Sequence, residues 1–397
     1  MPLPLRGGGI SGSGTGPNEV TLSFRDYEKE GTYDELEFTK KNRKSGDVTL
    51  PFLSKKAIKV ALEDTEYTRV SGNGDTGEGY MYKKPVFSGN YFIGEPKEDV
   101  IELAVRRANV IRRLAGIKPF ILDTETSTMA QHAAWVMAKD NTSGHDISLF
   151  KRESISDSMW NTTKEALKWS ALVLRPRGAG GVDMFMGDNA NPGLGHRLVV
   201  FDTIHTRKVG FGVASGNTGF GATTMMIKQE DGTVPDNINY NGSSSYWYMV
   251  AWPPAGYFPA DTLLFDVNAD RPRWSVLLNG QYRAIQNGTN VIVTKKVDGQ
   301  EVRKWDFNEI MKNRNAGKTP TKDEAWGAIT YGDGTYLKPT IFYLTYGKED
   351  GTEVNEDFVD GAQYTVRFEN LSGGISGTNT ADPIEYTVEF FDLKKVQ

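Results

Sequence analysis

Apolar residues recur at helical spacing between residues 96 and 140. The run over residues 96–116 has acidic residues early and arginines late, which suits the dipole of an amphipathic helix, and Gly116 is placed to end it. A second helix follows, with Asp123 or Thr124 as its N-cap. The positions at helical spacing are Val100, Leu103, Ala104, Arg107, Ala108, Ile111 and Leu114 in the first helix, and Met129, His132, Ala133, Val136 and Met137 in the second.

Beyond residue 160 the pattern changes from helices to strands. An amphipathic stretch from Asn161 to Leu174 predicts a third helix, and Val182–Met186 predicts a short helical turn. Helices followed by strands are typical of helices packed on an antiparallel sheet, which we expect for residues 96–260. The runs that predict strands are Leu198–Phe201, Val209–Val213, Met225–Lys228 and Tyr246–Trp252.

From Asp261 onward the pattern predicts strands, apart from a helix-like insert over residues 306–326. Turn dipeptides such as Asn279-Gly280 and Asp298-Gly299 separate some of these strands. Their spacing is typical of an all-β, immunoglobulin-like sandwich. The predicted strands include Arg273–Leu278, Val291–Thr294, Thr340–Thr345, Tyr364–Phe368 and Tyr386–Phe391.

The first 95 residues predict a β-poor N-terminal arm. Glycine, serine and proline are dense in residues 1–20, Val20–Phe24 is a strand candidate, and Ile58–Leu62 is a short apolar run. We expect a packing arm or small appendage rather than a site. The fold class expected for the whole chain is α+β, with parts at residues 1–95, 96–260 and 261–397.

Composition excludes several classes of function. The chain has 397 residues and a net charge of −5, which argues against a nucleic-acid partner because such a partner requires a basic face. Without cysteine there is no disulfide framework, thiolate zinc site or cysteine nucleophile. No apolar stretch approaches the length of a transmembrane segment. The first residues lack the pattern of a secretory signal, so we expect a trimmed chain, an intracellular one, or one that leaves its cell by another route.

Candidate chemistry concentrates between Val182 and Ala214. There Asp188 precedes a turn, and His196 opens a predicted strand beside it, so the two side chains are expected to lie together at a strand edge. His145 follows the second predicted helix. If the fold brings both histidines near Asp188 or Glu165, they form a divalent metal set or an acid/base set. The alternative is a hydrogen-bonded cluster that positions loops.

The other two histidines are not expected to belong to a site. His132 lies on the apolar face of the second predicted helix and is expected to pack there. His205 lies in a threonine-rich hairpin loop and is expected to be solvated. The sequence has four histidines, so these assignments cover the whole set.

Several ordered stretches resemble the CAP superfamily, the family of cysteine-rich secretory and pathogenesis-related proteins. Asn109–Arg112 with Leu114–Pro119 resembles its opening helix, and Met129–Ala138 with Ser143-Gly144-His145 resembles its second helix and first histidine. The further stretches are Asp188–Arg197 with Val209–Gly212, which is similar to the bacterial G-H motif, Ala251–Pro259, which is similar to the domain exit of large bacterial members, and Trp274-Ser275 in the sandwich that follows.

The resemblance implies a CAP-like α-β-α sandwich with a cleft lined by two histidines and two acidic residues. His145 and His196 match the histidines, and Asp188 stands where a glutamate is expected. The family's Gly-Glu-Asn motif is absent, and Glu165 is the nearest candidate for the second acid. The set would hold zinc or another divalent metal, with His145 and His196 as its nitrogen ligands.

The function expected from these features is binding at a surface. Gly9–Ser23 resembles segments that begin tail and adhesin proteins of tailed phages. We therefore expect an extracellular, cell-surface or virion-associated module that recognises a peptide, glycan or lipid of a cell envelope. Residues 1–95 would contact other virion or surface subunits. The alternatives are a metal-assisted hydrolase acting on envelope polymers and a purely structural virion component.

Overall fold

The fold is described from a computed structural model. It describes residues 19–20, 53–66, 78–117, 119–174, 178–188, 193–202, 208–216, 221–228, 249–260, 272–278, 282–283, 288–332, 339–373, 379–380 and 383–397.

The helices of these described ranges lie mainly in the first half of the chain. They are α1 (Lys55–Asp64), α2 (Glu98–Leu114), α3 (Thr124–Asp140), α4 (Asp157–Trp169), α5 (Ala179–Gly187), α6 (Gly195–Val200) and α7 (Phe307–Asn315). None of them is long and apolar enough to cross a membrane.

The strands of the first half are short. They are β1 (Glu19–Val20), β2 (Met81–Lys83), β3 (Glu95–Pro96), β4 (Ile121–Asp123), β5 (Ser170–Leu174), β6 (Lys208–Ala214) and β7 (Ala222–Lys228).

The strands that follow are more numerous. They are β8 (Met249–Trp252), β9 (Gly256–Pro259), β10 (Trp274–Leu278), β11 (Tyr282–Arg283), β12 (Asn290–Val297), β13 (Gln300–Asp306), β14 (Ala325–Thr330), β15 (Thr340–Gly347), β16 (Glu353–Asn355), β17 (Gln363–Glu369), β18 (Ser372–Gly373), β19 (Asn379–Thr380) and β20 (Ile384–Phe391).

The first sheet separates two helical layers. Its strand order is β1-β4-β6-β7-β5, with β4 and β6 parallel and the other neighbours antiparallel. Helices α3 and α4 share one buried cluster with Leu172, Ala214 and Ala222. Helices α2, α5 and α6 share the other with Val209 and Phe211, which belong to the opposite face of the sheet. The expected α+β class is confirmed, and this half has an α-β-α arrangement.

Helix α3 lies directly against β6. A Cβ on Gly210 would stand 2.2 Å from the backbone of Ser127, and one on Gly212 would stand 2.4 Å from the carbonyl oxygen of Ala130. The backbone N–H of Val213 donates to the Gln131 side chain at 2.9 Å. Helix α3 thus covers the part of β6 that lies beyond its pairing with β4.

The helix predicted to end at Leu174 ends five residues earlier. Ser156 caps its first turn by accepting from the N–H of Met159, and the chain leaves the helix at Trp169. Residues 170–174 instead form β5, which pairs along its whole length with β7. Sheet pairing overrides the helical period here, so this part of the helix prediction was wrong.

Two further sheets face each other as a β-sandwich. One has the order β14-β15-β10-β8, with β16 also beside β15, and the other has the order β13-β12-β17-β20-β9. The ring of Trp274 lies between them, stacked on Phe342 at 5.7 Å and in contact with Tyr364 and Phe390 of the opposite sheet. Asp298 and Gly299 have the positive φ angles of a tight hairpin turn, as their dipeptide predicts.

Strands β8 and β9 belong to the sandwich. β8 pairs antiparallel with β10, and β9 pairs parallel with β20. Both strands precede the domain limit predicted at residue 260, so the sandwich begins within the range that was assigned to the CAP-like unit. The division into three parts otherwise stays a prediction.

The described part of the N-terminal arm packs on both halves of the molecule. Ser54 caps α1, whose buried face includes Ile58 and Leu62. Lys55 Nζ lies 2.7 Å from Glu389 of β20, and Lys59 Nζ donates to the carbonyl oxygen of Val396 at 2.8 Å. The chain around β2 and β3 covers α3, where Trp135 Nε1 donates to the carbonyl oxygen of Val86.

Candidate functional site

Asp188 joins the end of α5 to the start of α6. Its backbone is left-handed, with φ of 46°, and its N–H donates to the carbonyl oxygen of Met184 at 2.9 Å, which ends α5. Its carboxylate reaches forward to the first turn of α6. Oδ2 accepts from the N–H of His196 at 2.8 Å and from that of Arg197 at 3.4 Å. A carboxylate at this end of a helix satisfies free N–H groups and complements the helix dipole.

The second oxygen of the same carboxylate holds the imidazole of His196. Nδ1 of His196 lies 2.7 Å from Oδ1 of Asp188. The Asp188 side chain is 1% exposed, whereas that of His196 is 26% exposed. Because an ionised carboxylate only accepts hydrogen bonds, Nδ1 carries the proton of the neutral ring. Nε2 is then left with a lone pair, on a ring that also contacts Phe185 at 5.6 Å between centroids.

A buried arginine holds the other end of α6. Nη1 of Arg112 donates to the carbonyl oxygens of Val200 and Asp202, at 2.7 Å each. Its guanidinium also lies 3.8 Å from the centre of the Phe120 ring. A cation at the C-terminal end of a helix and an anion at its N-terminal end both favour the helical state.

These contacts correct the expectation that His196 opens a strand. The Leu198–Phe201 run has the β-branched composition of a strand, but residues 195–200 are helical. A helix of this length is not stable alone, so it depends on Asp188 and Arg112 at its ends. His196 therefore lies in the first turn of a helix instead of at a sheet edge.

Asp183, another acidic residue of the stretch Val182–Ala214, has a structural partner. Asp183 of α5 accepts two bonds from the guanidinium of Arg107 of α2, at 2.9 and 3.0 Å. Both side chains are buried, and Arg107 also donates to Thr65, just after α1. This pair fixes α5, and with it Asp188, to the α2 layer.

His145 and Glu165 both lie at helix α4. Nδ1 of His145 lies 2.7 Å from the carbonyl oxygen of Leu167 near the end of α4, and the residue is exposed. Glu165 is exposed on the same helix. Among the residues with described positions, no three His, Asp or Glu side chains lie close enough together to hold a metal ion. The four-residue cleft and its zinc or other divalent metal therefore stay predictions.

His132 is packed between α3 and α4. Its Nδ1 lies 3.4 Å from Oγ1 of Thr163, and burial lowers the pKa of the imidazole from 6.5 to about 4. The ring is thus neutral at pH 7. His205 lies outside the described residues.

Sequence reasoning did not single out Arg112 or Arg197 as parts of this region. Arg197 is almost fully buried although it follows His196 directly. The available signal was an arginine next to the apolar run Leu198–Phe201, where a lone charge implies a buried partner.

No family model matches the sequence, and no curated protein matches it. The fold is similar in part to a solved structure of an extracellular protein containing an SCP domain from Bacillus anthracis strain Ames. The two chains are 18% identical with a TM-score of 0.21, over 33% of this chain. The similarity spans 40% of that protein, which is less than half of its length.

Proposed function

We propose that this chain is a CAP-like extracellular binding module whose site centres on His196 and Asp188. The observation that carries the proposal is the 2.7 Å contact between Nδ1 of His196 and a carboxylate that is itself buried. A buried carboxylate that serves one partly exposed imidazole leaves that ring in one tautomer and one orientation. A preorganised polar group beside apolar side chains is typical of a binding site.

The geometry favours a ligand that offers hydrogen-bond donors. Nε2 of His196 accepts from a hydroxyl or amide N–H, and the buried Phe185 packs beside the ring. Met184, which precedes Phe185 on α5, is 44% exposed. A peptide or glycan of a cell envelope has both donors and apolar surface, and a lipid headgroup with hydroxyls offers the same donors. Residues 1–95 would attach the module to a cell surface or virion.

A metal-assisted hydrolase of envelope polymers is the second candidate. The specific observation in its favour is the same carboxylate–imidazole pair, because metal-ligating histidines commonly donate their other ring N–H to a carboxylate. His196 Nε2 would be one ligand, and His145 and Glu165 would have to supply others. Zinc would then polarise the bond to be cut and activate a water molecule.

Binding assays on the full chain distinguish these functions. We would measure sedimentation with insoluble peptidoglycan, flotation with phosphatidylglycerol vesicles, and zinc titration by calorimetry. Loss of one hydrogen bond predicts about three- to tenfold weaker polymer binding by His196→Ala. His205→Ala is the matched control, since we expect that side chain to be solvated. Zinc binding that requires both His196 and His145 would favour the hydrolase. Equal binding of every probe by wild type and His196→Ala would refute both functions.

A further inference from the structure

The side chain that follows His196 connects the site to the β-sandwich. Arg197 is 1% exposed. Its Nε donates to the carbonyl oxygen of Met186 at 2.7 Å, which is one of the last carbonyls of α5. Its Nη1 donates at 2.9 Å both to the carbonyl oxygen of Arg273 and to Oγ of Ser275. One guanidinium thus joins α5, α6 and the first residues of β10.

A second contact joins the same face of α6 to the same place in the sandwich. Phe201 lies one helical turn after Arg197, so the two side chains share a face. The ring of Phe201 lies 5.6 Å from that of Trp252 of β8, and both residues are buried. Trp252 and Ser275 are directly paired residues of neighbouring strands. Arg197 and Phe201 therefore contact one pair of opposed residues in the sandwich sheet, Ser275 and Trp252.

We infer that the β-sandwich orients the imidazole of His196. Arg197 is the positioning residue, because its guanidinium connects the sandwich to α6. The short helix α6 does not hold its own place. Asp188 and Arg112 fix its two ends from the α-β-α side, and Ser275 and Trp252 fix one face from the sandwich side. His196 is in the first turn, so a shift or fraying of α6 changes the distance between Nδ1 and the Asp188 carboxylate.

The role for ligand binding rests on the proposed function, but the orientation of His196 does not. A tautomer held by a single hydrogen bond changes when that bond is weakened, whether or not a ligand exists. The sandwich would then be a component of the site. Weakening the contact between the α-β-α half and the sandwich would reduce binding without a substitution at His196 or Asp188.

The test uses long-range ¹H–¹⁵N correlation spectra of the full chain, which identify the protonated ring nitrogen of each of the four histidines. The variants are Ser275→Ala, Arg197→Gln and Arg197→Lys. Thr387→Ala is the matched control, because Thr387 is as buried as Ser275, at 4%, and its hydroxyl bonds Thr365 in the other sheet of the sandwich.

We expect wild type and Thr387→Ala to show a single His196 tautomer with the proton on Nδ1. Ser275→Ala and Arg197→Gln should show a mixture of tautomers, and Arg197→Lys should recover part of the wild-type signal because it keeps the charge. If Arg197→Gln does not fold, Ser275→Ala carries the test. An unchanged His196 spectrum in folded Ser275→Ala overturns the inference, and so does an equal change in Thr387→Ala. If wild type binds no probe but the tautomers respond as expected, the proposed function fails and this inference stands.

Discussion

At the scale of single residues, Asp188 has two roles that one substitution can separate. One carboxylate oxygen caps α6 and the other orients His196. In Asp188→Asn the amide oxygen still caps the helix, but the amide N–H₂ faces Nδ1 and can only donate to it. We expect the His196 tautomer to invert, with the proton on Nε2, while the free energy of unfolding changes little.

Asp188→Ala provides the comparison. It removes the cap as well, so we expect a loss of about 1–2 kcal/mol in the free energy of unfolding measured in urea. A tautomer that stays on Nδ1 in Asp188→Asn would show that the carboxylate does not control the ring.

His132 should make the protein less stable in mild acid. The folded imidazole has a pKa lowered by burial to about 4, against 6.5 for an ordinary one. Between these values the unfolded chain binds a proton that the folded chain does not, so stability falls as pH drops below 6.5 and levels off only below 4. The contribution lost between pH 7 and pH 5 is about 2 kcal/mol.

The check is the difference in unfolding free energy between pH 7 and pH 5 for wild type and His132→Gln. Glutamine does not titrate, so the pH dependence should be smaller by that amount. An identical pH dependence in the two proteins would show that His132 is accessible to protons in the folded state.

The residues of the site were only partly predictable. Asp188 and His196 stand out because an acidic residue and one of the four histidines lie eight residues apart, next to a turn and an apolar run. The structure joins them. Arg112 and Arg197 act by donating to main-chain carbonyls from distant elements, over sequence separations of 88 and 76 residues. A residue pattern carries no information about which carbonyl a guanidinium will reach.

At the scale of elements, local pattern succeeded where an element supplies its own stabilisation. Helix α2 has Glu98 and Asp99 in its first turn and Arg112 and Arg113 in its last, and Asp123 caps α3 as expected. The sequence pattern predicted the wrong secondary structure where contacts with other elements determine it. Residues 170–174 become β5 because β7 pairs with them, and α6 is a helix because charges from elsewhere hold its ends.

The contact between α3 and β6 requires glycine at two positions. Gly210→Ala or Gly212→Ala places a Cβ 2.2–2.4 Å from the backbone of α3, which cannot move aside as a flexible side chain would. We expect each variant to lose about 3 kcal/mol or more of unfolding free energy in urea, as overpacking against backbone does.

Gly288→Ala is the matched control. Nothing lies within 4 Å of a Cβ at that position, so its stability should stay within about 1 kcal/mol of wild type. Wild-type stability of Gly212→Ala would mean that α3 does not rest on β6 as described.

At the scale of the whole molecule, one hydrophobic core runs through both halves. Its buried members include Ile58 of α1, Ile111 of α2, Phe211 of β6, Trp252 of β8 and Val293 of β12. A continuous core favours cooperative unfolding. We expect Val293→Ala, which opens a small cavity in the sandwich, to lower the urea midpoint of the α-β-α half as well.

The measurement is hydrogen exchange of α3 and of β12 across a urea series. Coincident transitions that shift together in Val293→Ala are the expected result. A shift confined to β12 would show that the sandwich unfolds on its own. Ala substitution of exposed Val302 on β13 is the control for a mutation without buried contacts.

The parallel pairing of β9 with β20 has a consequence for how the chain assembles as it is synthesised. β9 leaves the ribosome about 130 residues before β20, yet β20 is the strand that joins β9 to the rest of its sheet. Until β20 is synthesised, β9 lacks its strand partner, and an unpaired strand edge can pair with another chain. During synthesis there is therefore a long interval in which the α-β-α half is complete in sequence. The sandwich strands that contact α6 still belong to an unfinished sandwich during that interval.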